Sequence, residues 1–225
     1  MDLSILILTH NRPKLFDRCI KSLKNIELNT AGINYEILVN NDSDDIPISN
    51  DYKLYNKKSD DLSDLYYLLY KEAKGKYIYF LEDDDIILKS FCGVVKDTIA
   101  NDYDLVYCNF FKVHNQSQGL NLKDGLIDFN IFKNQDFFYE FQLSRCIFKK
   151  SKILKFPKGN NIFNDYILFK NIKTKYIKTY RSCIYKQTTD GNDNISYESL
   201  NKDSRFKNQD SIIIHNNMKE IFFEN

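Results

Sequence analysis

Four consecutive acidic residues follow an apolar run in the stretch Tyr77-Ile-Tyr-Phe-Leu-Glu-Asp-Asp-Asp-Ile-Ile-Leu88. The apolar residues, bounded by Gly75, predict a buried strand, so the acids stand at its carboxyl end. Ligands of open α/β sheets bind at that edge. Adjacent carboxylates also repel each other unless a cation lies among them. Glu82 to Asp85 therefore form a candidate site for Mg²⁺ or Mn²⁺, which would itself hold a diphosphate. The alternative interpretation is a solvated acidic turn.

The elements around this site alternate between strands and helices. Residues 3–9 predict a strand, after which Asn11 can cap a helix and Pro13 can occupy its first turn. Residues 35–40 predict a second strand that ends in a polar turn, and residues 52–55 and 104–111 predict two more. Residues 59–74 and 89–101 show helical spacing of apolar side chains. This alternation predicts an α/β fold with a mostly parallel sheet and helices on both faces.

The alternation is weaker beyond residue 111. Residues 114–119 predict a polar turn, and residues 126–132, 143–148 and 176–186 predict strands. Residues 162–172 and 208–223 predict helices. No repeat and no linker rich in Pro, Gly or Ser divides the 225 residues, so we expect one domain.

Composition excludes several classes of protein. The five cysteines are widely spaced and include no C-x-x-C pair, which argues against a disulfide framework and against a zinc site. The apolar run at residues 3–8 is too short for a membrane span. We expect a cytoplasmic protein, with contact to the inner face of a membrane as an open option. A net charge of +1 adds little.

Three motifs in order carry a resemblance to a known family. They are Leu6-Ile-Leu-Thr-His-Asn-Arg-Pro13, Leu38-Val-Asn-Asn-Asp-Ser43 and Phe80-Leu-Glu-Asp-Asp-Asp85. Together they resemble the inverting glycosyltransferases with the GT-A fold that are called family 2, over roughly residues 1–190. The resemblance implies a Rossmann-like central sheet with a small antiparallel part toward the carboxyl terminus. It also implies a nucleoside-diphosphate sugar, foremost a UDP-sugar, as the donor, and Mn²⁺ or Mg²⁺ as the cofactor.

The resemblance implies roles for individual residues. Residues 1–110 would bind the nucleotide sugar, and residues 111–225 would bind the acceptor and close with a helix. Asp84, assisted by Glu82, would hold the metal. The nucleotide sugar would be bound by residues from all three motifs: Thr9, Asn11, Arg12, Asn41, Asp42, Glu82 and Asp83. Asn41 stands where the family has an Asp that reads uracil, and its amide would also fit cytosine.

The resemblance also implies a catalytic base. Asp165 occupies its place at the start of a predicted helix, where it would deprotonate the acceptor hydroxyl. It is also the only acid between Glu140 and Asp190. A helix cap or an ion pair with a Lys is the alternative role for Asp165.

Two histidines, one polar loop and one basic region each have more than one possible role. His114 and His215 could help to bind the metal, although a surface or capping role is the simpler interpretation for each. The loop at residues 188–196 resembles a segment that closes over bound substrates. Twelve Lys or Arg residues between positions 145 and 186 could approach an anionic acceptor, a membrane surface or DNA. A solvated basic face with its aromatic residues in the core is the alternative.

Two other functions remain open at this point. A nucleotidyltransferase has a similar sheet, but it needs a Gly-rich loop after the first strand, and residues 9–13 contain no Gly. The second is a module that retains the sheet but has lost catalysis. Such a module would bind a nucleotide or a nucleic acid. The altered motif positions Asn41, Glu82 and Asn164 keep this option open.

Overall fold

The computed structural model describes residues 1–43, 49–59, 61–112, 117–119, 123–133, 142–156, 168–169 and 171–188. The strands in these ranges are β1 (Leu3–Thr9), β2 (Tyr35–Asn41), β3 (Lys53–Tyr55), β4 (Tyr77–Glu82), β5 (Ile86–Ile87), β6 (Leu105–Lys112), β7 (Ser117–Gly119), β8 (Gly125–Asp128), β9 (Cys146–Lys149) and β10 (Tyr176–Gln187). The helices are α1 (Pro13–Lys24), α2 (Leu62–Glu72), α3 (Ser90–Ala100) and α4 (Phe129–Lys133).

The strands form one mixed sheet in the order β3-β2-β1-β4-β9-β6-β10-β5, while β7 pairs with β6 and β8 with β10. Strands β3, β2, β1 and β4 are parallel to one another. Strand β9 is antiparallel to both of its neighbours, β4 and β6, and β6 is parallel to β10. Six strands of the central path therefore run in one direction. The predicted α/β fold with a mostly parallel sheet and a smaller antiparallel part is confirmed.

Alternate residues of the central strands pack against different layers. Ile5 and Tyr79 belong to the core that contains Phe16 of α1 and Phe91 of α3. On the opposite face, the ring of Phe80 packs edge-on against Tyr66 of α2, with the ring centroids 5.5 Å apart. The strands read as continuous apolar runs because both faces of the sheet are covered.

Three elements differ from the sequence-based expectation. Residues 126–132 do not form one strand, because β8 ends at Asp128 and α4 begins at Phe129. Strand β9 starts only at Cys146, after a short 3-10 turn at Leu143–Arg145. The polar turn expected at residues 114–119 contains strand β7. Short apolar runs are ambiguous between helix and strand, since only tertiary packing decides between them.

Residues Met1–Thr188 form one compact unit. The helix expected at residues 208–223 lies outside the described residues. None of the described helices is long and apolar enough to cross a membrane.

Just before β4, the strand that precedes the acids, the backbone at Gly75 packs closely against the backbone of β1. A Cβ atom on Gly75 would lie 2.4 Å from the backbone N of Ser4 and 2.6 Å from the carbonyl carbon of Leu3. The backbone N–H of Gly75 also donates to Ser4 Oγ at 2.8 Å. Because the obstructing atoms are backbone of the central strand β1, a side chain at this position has no room.

We predict that Gly75→Ala lowers the free energy of unfolding by about 3 kcal/mol, the upper part of the range for an overpacked site. The matched control is Gly93→Ala in α3, where a Cβ atom would have no neighbour within 4 Å. That change should raise the stability by about 0.5–1 kcal/mol, because alanine is the better helix former. Urea unfolding followed by circular dichroism measures both. Equal stability of Gly75→Ala and the wild type would contradict the close approach.

Candidate active site

The three motifs meet at one edge of the sheet. Strand β1 lies between β2 and β4, with Thr9 opposite Asn41 and Leu8 opposite Glu82. The carboxyl ends of the three strands are therefore level, and the loops that follow them are neighbours. This edge is where open α/β sheets bind their ligands.

The acidic turn after β4 is largely buried. Asp83 and Asp84 are each 5% exposed and Asp85 is 1% exposed, whereas Glu82 is exposed. Glu82, Asp84 and Asp85 each offer one carboxylate oxygen, and these three oxygens lie within 4.8 Å of one another. The structure thus brings together both predicted metal ligands and Asp85, a member of the predicted acidic site to which the resemblance gave no individual role.

Burial makes the ionised forms of these acids costly. Burial and the neighbouring Asp83 raise the pKa of Asp84 to about 6, against an opposing effect of Arg12. Burial, followed by the charges of Glu82 and Asp84, raises the pKa of Asp85 well above its ordinary value. Asp85 Oδ1 accepts a hydrogen bond from the backbone N–H of Thr188 at 3.2 Å. Asp85 Oδ2 is buried and has no hydrogen-bond partner within the described ranges.

Arg12 supplies positive charge to the turn. Its Nη1 lies 3.2 Å from Asp83 Oδ1 and 3.5 Å from Asp84 Oδ2. Arg12 also ends the loop as the residue before α1, and its side chain makes no capping hydrogen bond there. The helix does begin at Pro13, as expected, but its cap is Arg12 and not Asn11.

The loop after β1 contacts the loop after β2 through side chains. His10 Nδ1 is hydrogen-bonded to Asp42 Oδ1, and the backbone N–H of Asn11 donates to Ser43 Oγ at 3.1 Å. Asn11 has a φ of 53°, a left-handed conformation that Asn tolerates better than most residues. The loops that carry Asn11 and Asp42 are therefore in direct contact, whereas the nucleotide-binding roles of the two residues stay predictions.

Asn41 is 1% exposed and shapes the turn after β2. Its Oδ1 accepts from the backbone N–H of Ser43 at 3.2 Å and from Ser43 Oγ at 2.7 Å. Its Nδ2 donates to the carbonyl oxygen of Ser43 at 2.5 Å. Thr9 is also buried, and its Oγ1 has no hydrogen-bond partner among the residues that the structure describes.

Several predicted site residues lie outside the described residues. They are the predicted base Asp165, the histidines His114 and His215, and the polar loop beyond Thr188. Their predicted roles stay predictions.

Two contacts of the acidic turn were not predicted. Arg18 of α1 donates through Nη2 to the carbonyl oxygen of Asp84 at 2.8 Å, and Thr188 Oγ1 donates to the same oxygen. Arg18 stands beside the buried Cys19 in the helical pattern, which could have placed it near the sheet. No local pattern could have placed Thr188, because it is 104 residues from Asp84.

Part of the basic region is used inside the fold. Arg145 is fully buried, with its guanidinium 4.3 Å from the ring centroid of Tyr107. Lys149 and Lys152 form ion pairs with Asp104 at 3.4 and 3.0 Å. The aromatic residues Phe148, Phe156 and Phe169 are buried. For these residues the structure agrees with the interpretation that the aromatics of this region belong to the core.

Comparison with known proteins is consistent with this geometry. The family model described as glycosyl transferase family 2 matches residues 4–169. EpsH, a candidate glycosyltransferase of Bacillus subtilis (strain 168), is 27% identical over 117 residues, which are 48% of this chain and 33% of EpsH. The chain therefore spans about a third of the length of this curated relative.

Solved structures of TarS from S. aureus share the fold. TarS 1–349 in complex with UDP-GlcNAc is 16% identical, with a TM-score of 0.68 over 85% of this chain and 59% of that one. TarS 1–349 in complex with UDP is also 16% identical, with a TM-score of 0.66 over 84% of this chain and 61% of that one. At this level of identity the likeness concerns the fold.

The burial of Asp85 predicts how the stability of the metal-free protein depends on pH. A carboxyl whose pKa is raised in the folded state contributes stability that is fully present below the unfolded pKa and lost as the pH rises through the folded pKa. We predict that Asp85→Asn raises the free energy of unfolding at neutral pH by at least about 1 kcal/mol, since each unit of pKa shift corresponds to about 1.4 kcal/mol. The gain should disappear near pH 4, about the pKa of an unfolded Asp.

Urea unfolding in EDTA at both pH values measures this gain. Asn can keep the hydrogen bond from the Thr188 N–H through its side-chain carbonyl. The control is Asp17→Asn, which should change stability by less than about 0.5 kcal/mol because Asp17 is exposed on α1 and is not part of the acidic turn. A loss of stability in Asp85→Asn at neutral pH would contradict the prediction.

Proposed function

This chain belongs to glycosyl transferase family 2, and we propose that it transfers a sugar from a nucleoside-diphosphate sugar to an acceptor hydroxyl with inversion. The observation that carries the proposal is the set of buried carboxylates at the carboxyl end of β4, level with the loops after β1 and β2. Residues 1–110 would bind the donor and residues 111–225 the acceptor, within one domain.

The acidic turn fits a hard divalent cation. Oxygens bound to one Mg²⁺ lie about 2.1 Å from it, hence at most about 4.2 Å apart. The three carboxylate oxygens here lie within 4.8 Å of one another, so small side-chain rotations would bring all three to one ion. Asp85 Oδ2 is buried without a hydrogen-bond partner within the described ranges, which a ligand would supply. We propose that Asp84 and Glu82 hold Mn²⁺ or Mg²⁺, joined by Asp85. When bound, the ion stabilises the charge on the departing diphosphate.

The nucleotide would lie over the loops after β1 and β2. The Asn41 amide is engaged with Ser43, so Asp42 is the better candidate to accept a hydrogen bond from a uracil N3–H. The buried Thr9 Oγ1 would gain a partner in the same nucleotide. The ribose would be bound near Glu82 and Asp83. A UDP-sugar donor is supported by the fold shared with TarS, which is solved with UDP-GlcNAc and with UDP.

Arg12 would act on the diphosphate. Its guanidinium lies beside Asp83 and Asp84, where a planar fork of N–H donors can also bind phosphate oxygens. Arg12 would keep its contact with Asp83 and direct its remaining N–H groups to the donor diphosphate, while Asp84 would bind the ion.

Asp165 would take the proton from the acceptor hydroxyl during the in-line displacement at the anomeric carbon. The acceptor itself is proposed only as a hydroxyl compound. The exposed lysines between positions 145 and 186 would suit an anionic acceptor, for which a membrane surface is one source.

The metal ligand is tested by Asp84→Asn. In the wild type we expect UDP and Mn²⁺ together to raise the melting temperature by more than the sum of their separate effects, because each completes the site of the other. Asp84→Asn should lose this joint effect. The wild-type effect should also weaken below a pH of about 6, where Asp84 becomes protonated and no longer binds the ion.

The control for Asp84→Asn is Asp17→Asn, an acid on the exposed face of α1 that forms an ion pair with Lys21. It removes the same charge at a distance from the turn and should leave the joint effect intact. An undiminished joint effect in Asp84→Asn would remove Asp84 as a ligand. With no joint effect in the wild type, the proposed metal dependence would be wrong.

The base is tested by Asp165→Asn. This variant should keep the joint UDP and Mn²⁺ effect but release UDP from sugar donors about 10²–10⁴ times more slowly, the usual contribution of a general base. UDP release from UDP-glucose, UDP-galactose and UDP-GlcNAc in the presence of Mn²⁺ measures the rate. An unchanged rate would refute the assignment. Tight UDP binding by a wild type that turns over no donor would favour the module without catalysis.

A further inference from the structure

Side chains of α1 hold the backbone of the acidic turn at three points. Arg18 Nη2 donates to the Asp84 carbonyl oxygen at 2.8 Å, and Cys19 Sγ donates to the Glu82 carbonyl oxygen at 3.6 Å. Ser22 Oγ accepts from the backbone N–H of Ile87 at 3.0 Å. The spacing of positions 18, 19 and 22 places these side chains on one face of the helix. The turn is therefore held by a rigid element as well as by its own strand.

Arg18 also joins the turn to the end of β10. The same Nη2 donates to Thr188 Oγ1, and Thr188 Oγ1 in turn donates to the carbonyl oxygen of Asp84. The backbone N–H of Thr188 donates to Asp85 Oδ1 at 3.2 Å. Arg18, Thr188 and the Asp84 carbonyl thus form a closed triangle next to two of the carboxylates.

The two arginines near the turn contact different parts of it. Arg12 approaches carboxylate oxygens of Asp83 and Asp84, whereas Arg18 donates to the backbone of Asp84. A contact to a carboxylate compensates charge and competes with a cation. A contact to the backbone carbonyl fixes the direction of the turn. It also does not occupy the carboxylate oxygens, which are the proposed ligands of the ion.

We propose that Arg18 is a positioning residue, which orients Asp84 and Asp85 for a divalent cation by fixing the Asp84 carbonyl and Thr188. This rests on the proposed function, in which the turn binds Mn²⁺ or Mg²⁺ with the donor. Groups that orient metal ligands typically contribute about 10–100-fold to metal affinity. Arg18 would contribute through geometry although its charge repels the ion.

The sign of the effect separates positioning from simple electrostatics. Arg18 favours the ionised form of Asp84 but is itself a cation beside the site. If Arg18 acted only by its charge, its removal would relieve repulsion and Mn²⁺ would bind more tightly. If Arg18 positions the turn, its removal weakens Mn²⁺ binding despite the lost repulsion. The two roles therefore predict opposite changes.

The experiment compares Arg18→Met, Arg18→Lys and Lys21→Met in the full chain. Titration with Mn²⁺, followed by electron paramagnetic resonance of the free ion, gives the affinity of each. We expect Arg18→Met to bind Mn²⁺ at least about tenfold more weakly. Arg18→Lys should fall between it and the wild type, since one ammonium can reach one acceptor but lacks the planar fork. Lys21 is the matched cation on the exposed side of α1, and Lys21→Met should bind as the wild type does.

A metal-free measurement keeps the proposal testable if the wild type binds no Mn²⁺. Amide hydrogen exchange in EDTA reports the order of the turn directly. Arg18→Met should exchange faster than the wild type at Asp85, Leu88 and Thr188, whose N–H groups are bonded to Glu82, Ile184 and Asp85. Exchange in β2, on the other side of β1, should be unchanged in all variants, which also shows that they fold.

The outcomes are distinct. Tighter or unchanged Mn²⁺ binding in Arg18→Met, or unchanged exchange at the turn, would overturn the positioning role. Absence of Mn²⁺ binding by the wild type, together with faster exchange in Arg18→Met, would overturn the metal site of the proposed function while leaving Arg18 as the residue that orders the turn. Weaker binding with faster exchange supports both.

Discussion

The constraint behind this structure is the burial of like charges at the end of a strand. Asp83, Asp84 and Asp85 are each at most 5% exposed, so water does little to screen their mutual repulsion. Such an arrangement is unfavourable in itself and persists only where the surrounding structure compensates it. The large core on both faces of the sheet provides that compensation, together with Arg12 and the contacts of α1. The divalent cation of the proposed function would reduce this repulsion further.

The topology explains how residues so far apart in sequence reach one turn. Parallel strands β2, β1 and β4 place three loops at one edge of the sheet. Strand β10 runs in the same direction and ends at that edge. Its register against β6 shifts on both sides of Cys183, before the strand ends. Strand β5 pairs with β10 immediately after the acids. Thr188 consequently lies beside Asp85.

The sequence predicted the parts of the fold that depend on local pattern. The apolar strands β1, β2 and β4 and the acids after β4 could be recognised because a strand buried on both faces reads as a continuous apolar run. The strand around β9 was predicted, but its antiparallel direction was not, because direction depends on the pairing with β4 and β6. The switch to α4 at Phe129 could not be predicted, since short apolar runs do not distinguish a strand from a helix. In the site, the motifs predicted Asn41 and Asp42 as neighbours of the nucleotide. They could not reveal that the Asn41 amide is engaged with Ser43, because that depends on the conformation of the turn.

The two arginines show why the residue type alone does not define a role at such a site. Both are charged and both lie near the same carboxylates, yet Arg12 meets side-chain oxygens and Arg18 meets a backbone oxygen. The contacts of Arg12 compensate the charge of Asp83 and Asp84. Arg18 and Thr188 both donate to the Asp84 carbonyl oxygen, so these contacts hold the backbone of the turn whatever the charge of its carboxylates. Two residues of one type, six positions apart at the start of one helix, thus act on different atoms of the same turn.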